Sequence, residues 1–269
     1  MSLRTLYLIC GLLILAMVAG WFWKGIRRRT GKPRVRHFAF PNAWLRILEK
    51  NVPLFHRMPV DLRDRLQDRV TEFVDGKRWK HCGGMTAVTD EMKVTIAAQA
   101  CFLLLNRGRG QNFSKVLTVM VYPTSRLNGE DSESALPPVD AWPSASVLLA
   151  WDEVKKTARD LRDERNEVMH EFARQLDLED GTRDGRPVLW EECQHTAWAR
   201  VMSQEFFRLQ MDGEGDLARK FKAGDPGEVF AAATELFYEM PDQLLKRHPE
   251  MYELLRSFFK LDPARWLRR

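Results

Sequence analysis

Residues 5–23 run without a single charged side chain. A helix rises about 1.5 Å per residue, so this stretch reaches roughly 28 Å, close to one hydrocarbon core. Tyr7 near its start and Trp21 and Trp23 at its end suit the two interfaces. Directly after it, Lys24, Arg27, Arg28, Arg29, Lys32, Arg34 and Arg36 form a basic collar with no acidic residue. Cations on the C-terminal side of a span predict an outside N-terminus and a cytoplasmic remainder. A cleaved signal peptide is the competing reading. It is weakened because only Arg4 precedes the run and the collar resists translocation. Residues 1–23 are therefore expected to be a transmembrane anchor and 24–37 a juxtamembrane linker whose cations suit an anionic leaflet.

The collar also changes the meaning of the net charge. The whole chain of 269 residues carries +5, yet without those seven residues and Arg4 there remain 34 basic side chains against 37 acidic ones. Residues 37–269 are thus mildly acidic, at −3. Nucleic-acid binding needs a basic face on the folded part itself, so no nucleic-acid partner is expected. A hydrophobic fraction of 45% with fifteen Phe and nine Trp is enough to build a packed core. Cys10, Cys82, Cys101 and Cys193 show no C-x-x-C spacing, and no disulfide framework follows.

Helical spacing recurs at 44–50 and at 59–77, where Leu62, Leu66, Val70 and Phe73 fall on one face. Thr89 is placed to cap a helix running through Ile96, Ala100 and Leu104. The period then shortens, and 116–122 and 147–151 read as strands around a Ser-, Pro- and Asp-rich loop at 125–144. Further helices are expected at 167–176, 197–209, 226–239 and 250–260, with Asp225 capping and Pro226 in the first turn of the third. Strands clustered among helices predict an α+β domain over 38–269.

The strongest local motif is His170-Glu171-Phe172-Ala173-Arg174. In H-E-x-x-H, two His one helical turn apart grip a zinc ion while the Glu serves as general base. Here Arg174 stands at the second His position. By itself the motif is weak evidence, since a solvated helix face explains most His-Glu pairs.

The surrounding residues add more. Phe40-Pro41 with Trp44, Val52-Pro53, Gly83-Gly84, Thr89-Asp90-Glu91-Met92, Ile96-Ala97-Ala98-Gln99-Ala100-Cys101 and Val121-Tyr122-Pro123 come in sequence. They are followed by Trp151-Asp152-Glu153-Val154, the His170 motif with Leu176-Asp177, Asp225-Pro226-x-Glu228-x-Phe230-Ala231, and His248-Pro249-Glu250. In this order they resemble the MtfA (Mlc titration factor A) family of bacterial zinc-dependent peptidases over about residues 38–265. The resemblance implies a mainly helical α+β zincin-like domain with a small sheet, similar to the catalytic core of the anthrax lethal factor. It implies zinc as cofactor and a bacterial inner membrane for the anchor. It assigns His170 as the first zinc-ligating His, Glu171 as general base and Glu228 as the downstream carboxylate ligand. Glu235, seven residues on and on roughly the same helix face, is the rival for that last role.

Two positions depart from the family pattern. Phe221 lies seven residues before Glu228, where relatives usually carry a Tyr thought to assist at the transition state. Arg174 offers no lone pair and stays protonated, so it cannot ligate a metal. One reading makes Arg174 the substitute for the cation, neutralising Glu228 and reaching Asp177. His195 is the residue that could instead supply an atypical third ligand.

Three functions therefore stand side by side. They are a membrane-tethered zinc peptidase with an impaired site, an active peptidase using an atypical ligand, and a non-catalytic protein that binds a peptide, a protein or a transcriptional regulator. The last follows from the family's known binding of a repressor, Mlc.

Overall fold

A computed structural model describes residues 40–108, 112–124, 143, 145–159, 166–189, 192–212 and 225–266. Contacts divide the chain into 1–39 and 40–269, and the described residues all belong to the second unit. The expected anchor, the basic linker and Phe221 lie outside them. Among the described residues no helix is long and apolar enough to cross a membrane.

In chain order the elements are α1 (Asn42–Asn51), α2 (Pro53–Arg57), α3 (Val60–Gly76), β1 (Arg78–His81), α4 (Asp90–Phe102), β2 (Thr118–Tyr122) and β3 (Ser146–Ala150). They continue with α5 (Trp151–Arg159), α6 (Glu167–Asp177), α7 (Glu192–Asp212), α8 (Pro226–Glu239), α9 (Pro241–Arg247), α10 (Pro249–Phe259) and α11 (Pro263–Trp266). The unit is mainly helical, with one parallel three-stranded sheet ordered β1-β2-β3. Arg78 pairs with Thr118, and Thr118 with Ser146.

Local chemistry sets several of these boundaries. The Thr89 hydroxyl accepts from the Met92 N–H at the start of α4, and Asp225 accepts from the Gly227 N–H at the start of α8. After α3 the chain leaves the helix at Lys77. The Lys77 ammonium donates to the carbonyls of Asn112 (2.6 Å), Phe113 (2.9 Å) and Val116 (2.8 Å), fixing the approach to β2. Cys82 and Cys101 are free thiols.

Two helices make the centre of the molecule. Helix α4 is buried along nearly all its length, and so is α8. A helix buried on every side is one enclosed by other elements. Phe172 on α6 meets Phe73 and Phe113 with ring centroids 5.5 and 4.7 Å apart. On another part of the core, Trp198, Phe230 and Phe258 pack edge to face or tilted. Tyr238 donates its buried hydroxyl to the Phe102 carbonyl and so ties α8 to the end of α4. Helix α6 lies against α8, α4 and β3, which places the His170 motif between the helical core and the sheet.

Candidate functional site

Helix α8 carries an unusual burden for a buried element, because Glu228, Glu235 and Glu239 all face inward. Their spacing of seven and four puts them on one stripe. A buried carboxylate is costly unless it is paired, so the opposing helix must supply donors or cations. Helix α6 supplies both.

Asn166 begins the arrangement as the N-cap of α6. Its side-chain oxygen accepts from the Met169 N–H at 2.9 Å, its own N–H donates to Glu235 Oε2 at 2.9 Å, and its amide nitrogen donates to Glu239 Oε1 at 2.8 Å. One turn along, His170 spans two acids. Nδ1 lies 2.5 Å from Glu235 Oε1 and Nε2 lies 3.0 Å from Glu228 Oε2. With both carboxylates ionised, the two ring nitrogens donate and the ring is an imidazolium. Burial would lower its pKa, but the hydrogen bonds to Glu228 and Glu235 and their charges hold it at about 9. Another turn along, Arg174 Nη1 reaches Glu228 Oε1 at 3.1 Å. Both oxygens of Glu228 are thus engaged by cations.

The remaining expected site residues take other places. Glu171 is half-buried, and its Oε1 accepts from Gln175 at 2.9 Å. Burial pushes its carboxyl pKa above the usual range. Arg174 forms no ion pair with Asp177. The reason lies in helix geometry, since side chains lean toward the N-terminus and carry the guanidinium back toward the level of His170. Half-buried His195 sits in the first turn of α7 and makes no hydrogen bond or ion pair to His170 or Glu228. Glu235 sits on the Nδ1 side of His170, opposite the nitrogen that faces Glu228. That is where zinc peptidases commonly place a carboxylate that orients a ligating ring.

Asp177 is 1% exposed and holds a different junction. Backbone N–H groups of Gly185 and Arg186 approach it from the following loop. Gly227 lies so close that a Cβ there would stand 2.7 Å from Asp177 Oδ2 and 3.1 Å from Asp225 Oδ1. At Gly185, with φ +71°, a Cβ would meet the Pro226 carbonyl at 2.5 Å. Two glycines therefore let the end of α6, the loop and the first turn of α8 close on one another, one residue from Glu228.

Burial raises the Asp177 pKa to about 6, with the nearby Asp184 and Asp180 carboxylates adding to it against the loop N–H groups. In an unfolded chain the value is about 3.9. The folded state then binds this proton more tightly, so the contribution to stability is full below about pH 4 and is lost as pH rises through about 6. D177N is expected to gain stability relative to wild type as pH rises from 4 to 7. Urea midpoints of the two proteins measured across that range check this, and a constant offset would contradict it.

The sequence does not single out Asn166 or Glu239. Their signal was an acidic stripe on a helix otherwise made of Val229, Phe230, Ala231, Ala232, Ala233, Leu236 and Phe237, which demands partners somewhere.

The donor set can be tested against zinc on this geometry. A ligating His offers a lone pair, and a ligating carboxylate offers a free oxygen. Here His170 Nε2 is engaged with Glu228 Oε2 at 3.0 Å, both Glu228 oxygens are taken, and the third position holds a guanidinium. Among the described residues no group of three or more His, Cys, Asp and Glu side chains is placed to hold a metal ion. These residues do not fit a zinc ion.

Comparison with known proteins places the chain despite this departure. The family model described as "Glucose-regulated metallo-peptidase M90" matches residues 23–260. An uncharacterised protein of Synechocystis sp. is 29% identical over 236 residues, covering 83% of this chain and 85% of its own length. Mlc titration factor A of Yersinia pestis and that of Yersinia pseudotuberculosis are each 26% identical over 269 residues, covering 93% of this chain and 92% of theirs. The buried His170–Glu228 pair, the Asp225-Pro226 cap and the small parallel sheet thus lie in a chain that belongs to the MtfA family of M90 metallopeptidases.

Proposed function

We propose that this chain is a membrane-anchored family member whose zinc binding and peptide hydrolysis are impaired, and which serves as a binding protein for a peptide, a protein or a transcriptional regulator. The single observation that carries the reading is Arg174 Nη1 at 3.1 Å from Glu228 Oε1. In the family, zinc supplies an activated water and the Glu beside the first His serves as base. With a guanidinium fixed on the carboxylate, Glu171 has no such water to activate, and its carboxyl is turned to Gln175. The partner class is supported by the Yersinia relatives, which are named for titration of Mlc. The uncharged run at 5–23 and its basic collar support a single-pass placement in a bacterial inner membrane, with the domain in the cytoplasm.

Hydrolysis of short chromogenic aminopeptidase substrates tests the catalytic part. Wild type and Glu171→Gln are expected to show the same background rate. Activity in the wild type that Glu171→Gln abolishes would restore the enzyme reading. Fractionation tests the tether, and recovery of the intact chain in the soluble fraction would contradict it.

A further inference from the structure

Loss of a metal ligand beside buried acids leaves a charge to be balanced, and the α6–α8 interface shows how. Glu228, Glu235 and Glu239 are all buried, Glu235 completely. Across from them stand two cations, His170 and Arg174, and the amide of Asn166. His170 is shared between Glu228 and Glu235, so it cannot by itself balance both. Arg174 meets the Glu228 oxygen that His170 leaves. The Arg174 side chain stays 30% exposed while its guanidinium reaches the buried carboxylate, as a long cation with an apolar stem can.

We infer that Arg174 is a built-in counter-ion which replaces the charge of a divalent metal in holding α6 to α8, so that the fold of this chain is metal-independent. The inference rests on the reading that this site does not hold zinc and extends it to stability. A carboxylate such as Glu228, 7% exposed, loses most of its solvation on folding and needs a positive charge within hydrogen-bond reach. In a metal-dependent site that charge arrives from solution and a chelator removes it. Here it is covalently part of α6, and no chelator can reach it. The exchange also has a chemical inverse. Arg174→His would return a lone pair one turn from His170, beside Glu228, and make zinc the conditional counter-ion again.

The test is thermal unfolding of the full-length chain with EDTA or with added zinc chloride. Wild type is expected to unfold at one temperature in both. R174M, which keeps the stem and loses the charge, is expected to drop by roughly 5 °C, since a partly exposed member of a buried pair is removed. R174M/E228Q, which removes both members, is expected to recover most of that drop, and it keeps the test readable should R174M alone fail to fold. R174H is expected to be destabilised in EDTA and to rise by several degrees with zinc. A wild type whose unfolding temperature falls in EDTA would overturn both this inference and the reading beneath it. R174M as stable as wild type, no recovery in R174M/E228Q, or no zinc response in R174H would overturn the inference alone.

Discussion

Replacing Glu235 with Ala is expected to remove about 3–5 kcal/mol of stability, the usual cost of deleting one member of a buried ion pair. Glu235 Oε1 meets His170 Nδ1 and Oε2 accepts the N–H of the α6 N-cap, Asn166. Truncation therefore strips one acceptor from an imidazolium, orphans a buried backbone donor at a helix start, and opens a cavity at a fully buried position. Glu235→Gln is expected to cost less. Its carboxamide oxygen can keep one of the two contacts, and its NH₂ can donate to Nδ1 of a neutral His170. Urea unfolding of both variants gives the order. Equal losses would mean that the charge at this position carries the whole effect and its volume adds nothing.

Phe172→Ala is the second large effect, and it probes the opposite side of the same helix. The ring is fully buried between Phe73 and Phe113. Deleting a core aromatic of this kind typically costs about 3–5 kcal/mol, through lost transfer energy and the cavity left behind. The site residues His170 and Arg174 keep their chemistry in this variant, so its loss is a packing loss. Its unfolding free energy is expected to fall by the same amount in EDTA and in zinc. A zinc-dependent difference would show that α6 is held in place by a metal.

The elements most legible in the sequence are those with a chemical marker at their start. Asp225 and Pro226 place α8, and Thr89 places α4, because a short oxygen-bearing side chain before an apolar run can satisfy a free N–H. The strand β1 carries no such marker. Its four residues are Arg78, Trp79, Lys80 and His81, too polar and too few to show alternation, and its partner Thr118 lies forty residues away. The helical spacing of 59–77 stops at Lys77, the C-cap of α3, where the chain turns into β1. Trp151 closed the expected second strand but opens α5, since an apolar residue at a strand end and one at a helix start look alike.

At the site, the His-Glu motif points to His170, the family resemblance to Glu228 and helical spacing to Glu235, and none of these separates the roles of the two acids. Whether Glu235 faces the nitrogen that would ligate or the one that would be oriented depends on how α6 and α8 pack. Nothing within either helix specifies that. Arg174 illustrates the same limit. Its charge and its position were plain, yet its reach toward Glu228 rather than Asp177 follows from the lean of side chains on a helix whose neighbour is known only from the fold.

The central claim, that a guanidinium occupies the place of the metal's charge, is tested most directly by elemental analysis of zinc in the purified full-length wild type. Far less than one zinc per chain is the expected result, unchanged by His170→Ala. One zinc per chain in the wild type, lost in His170→Ala, would contradict it.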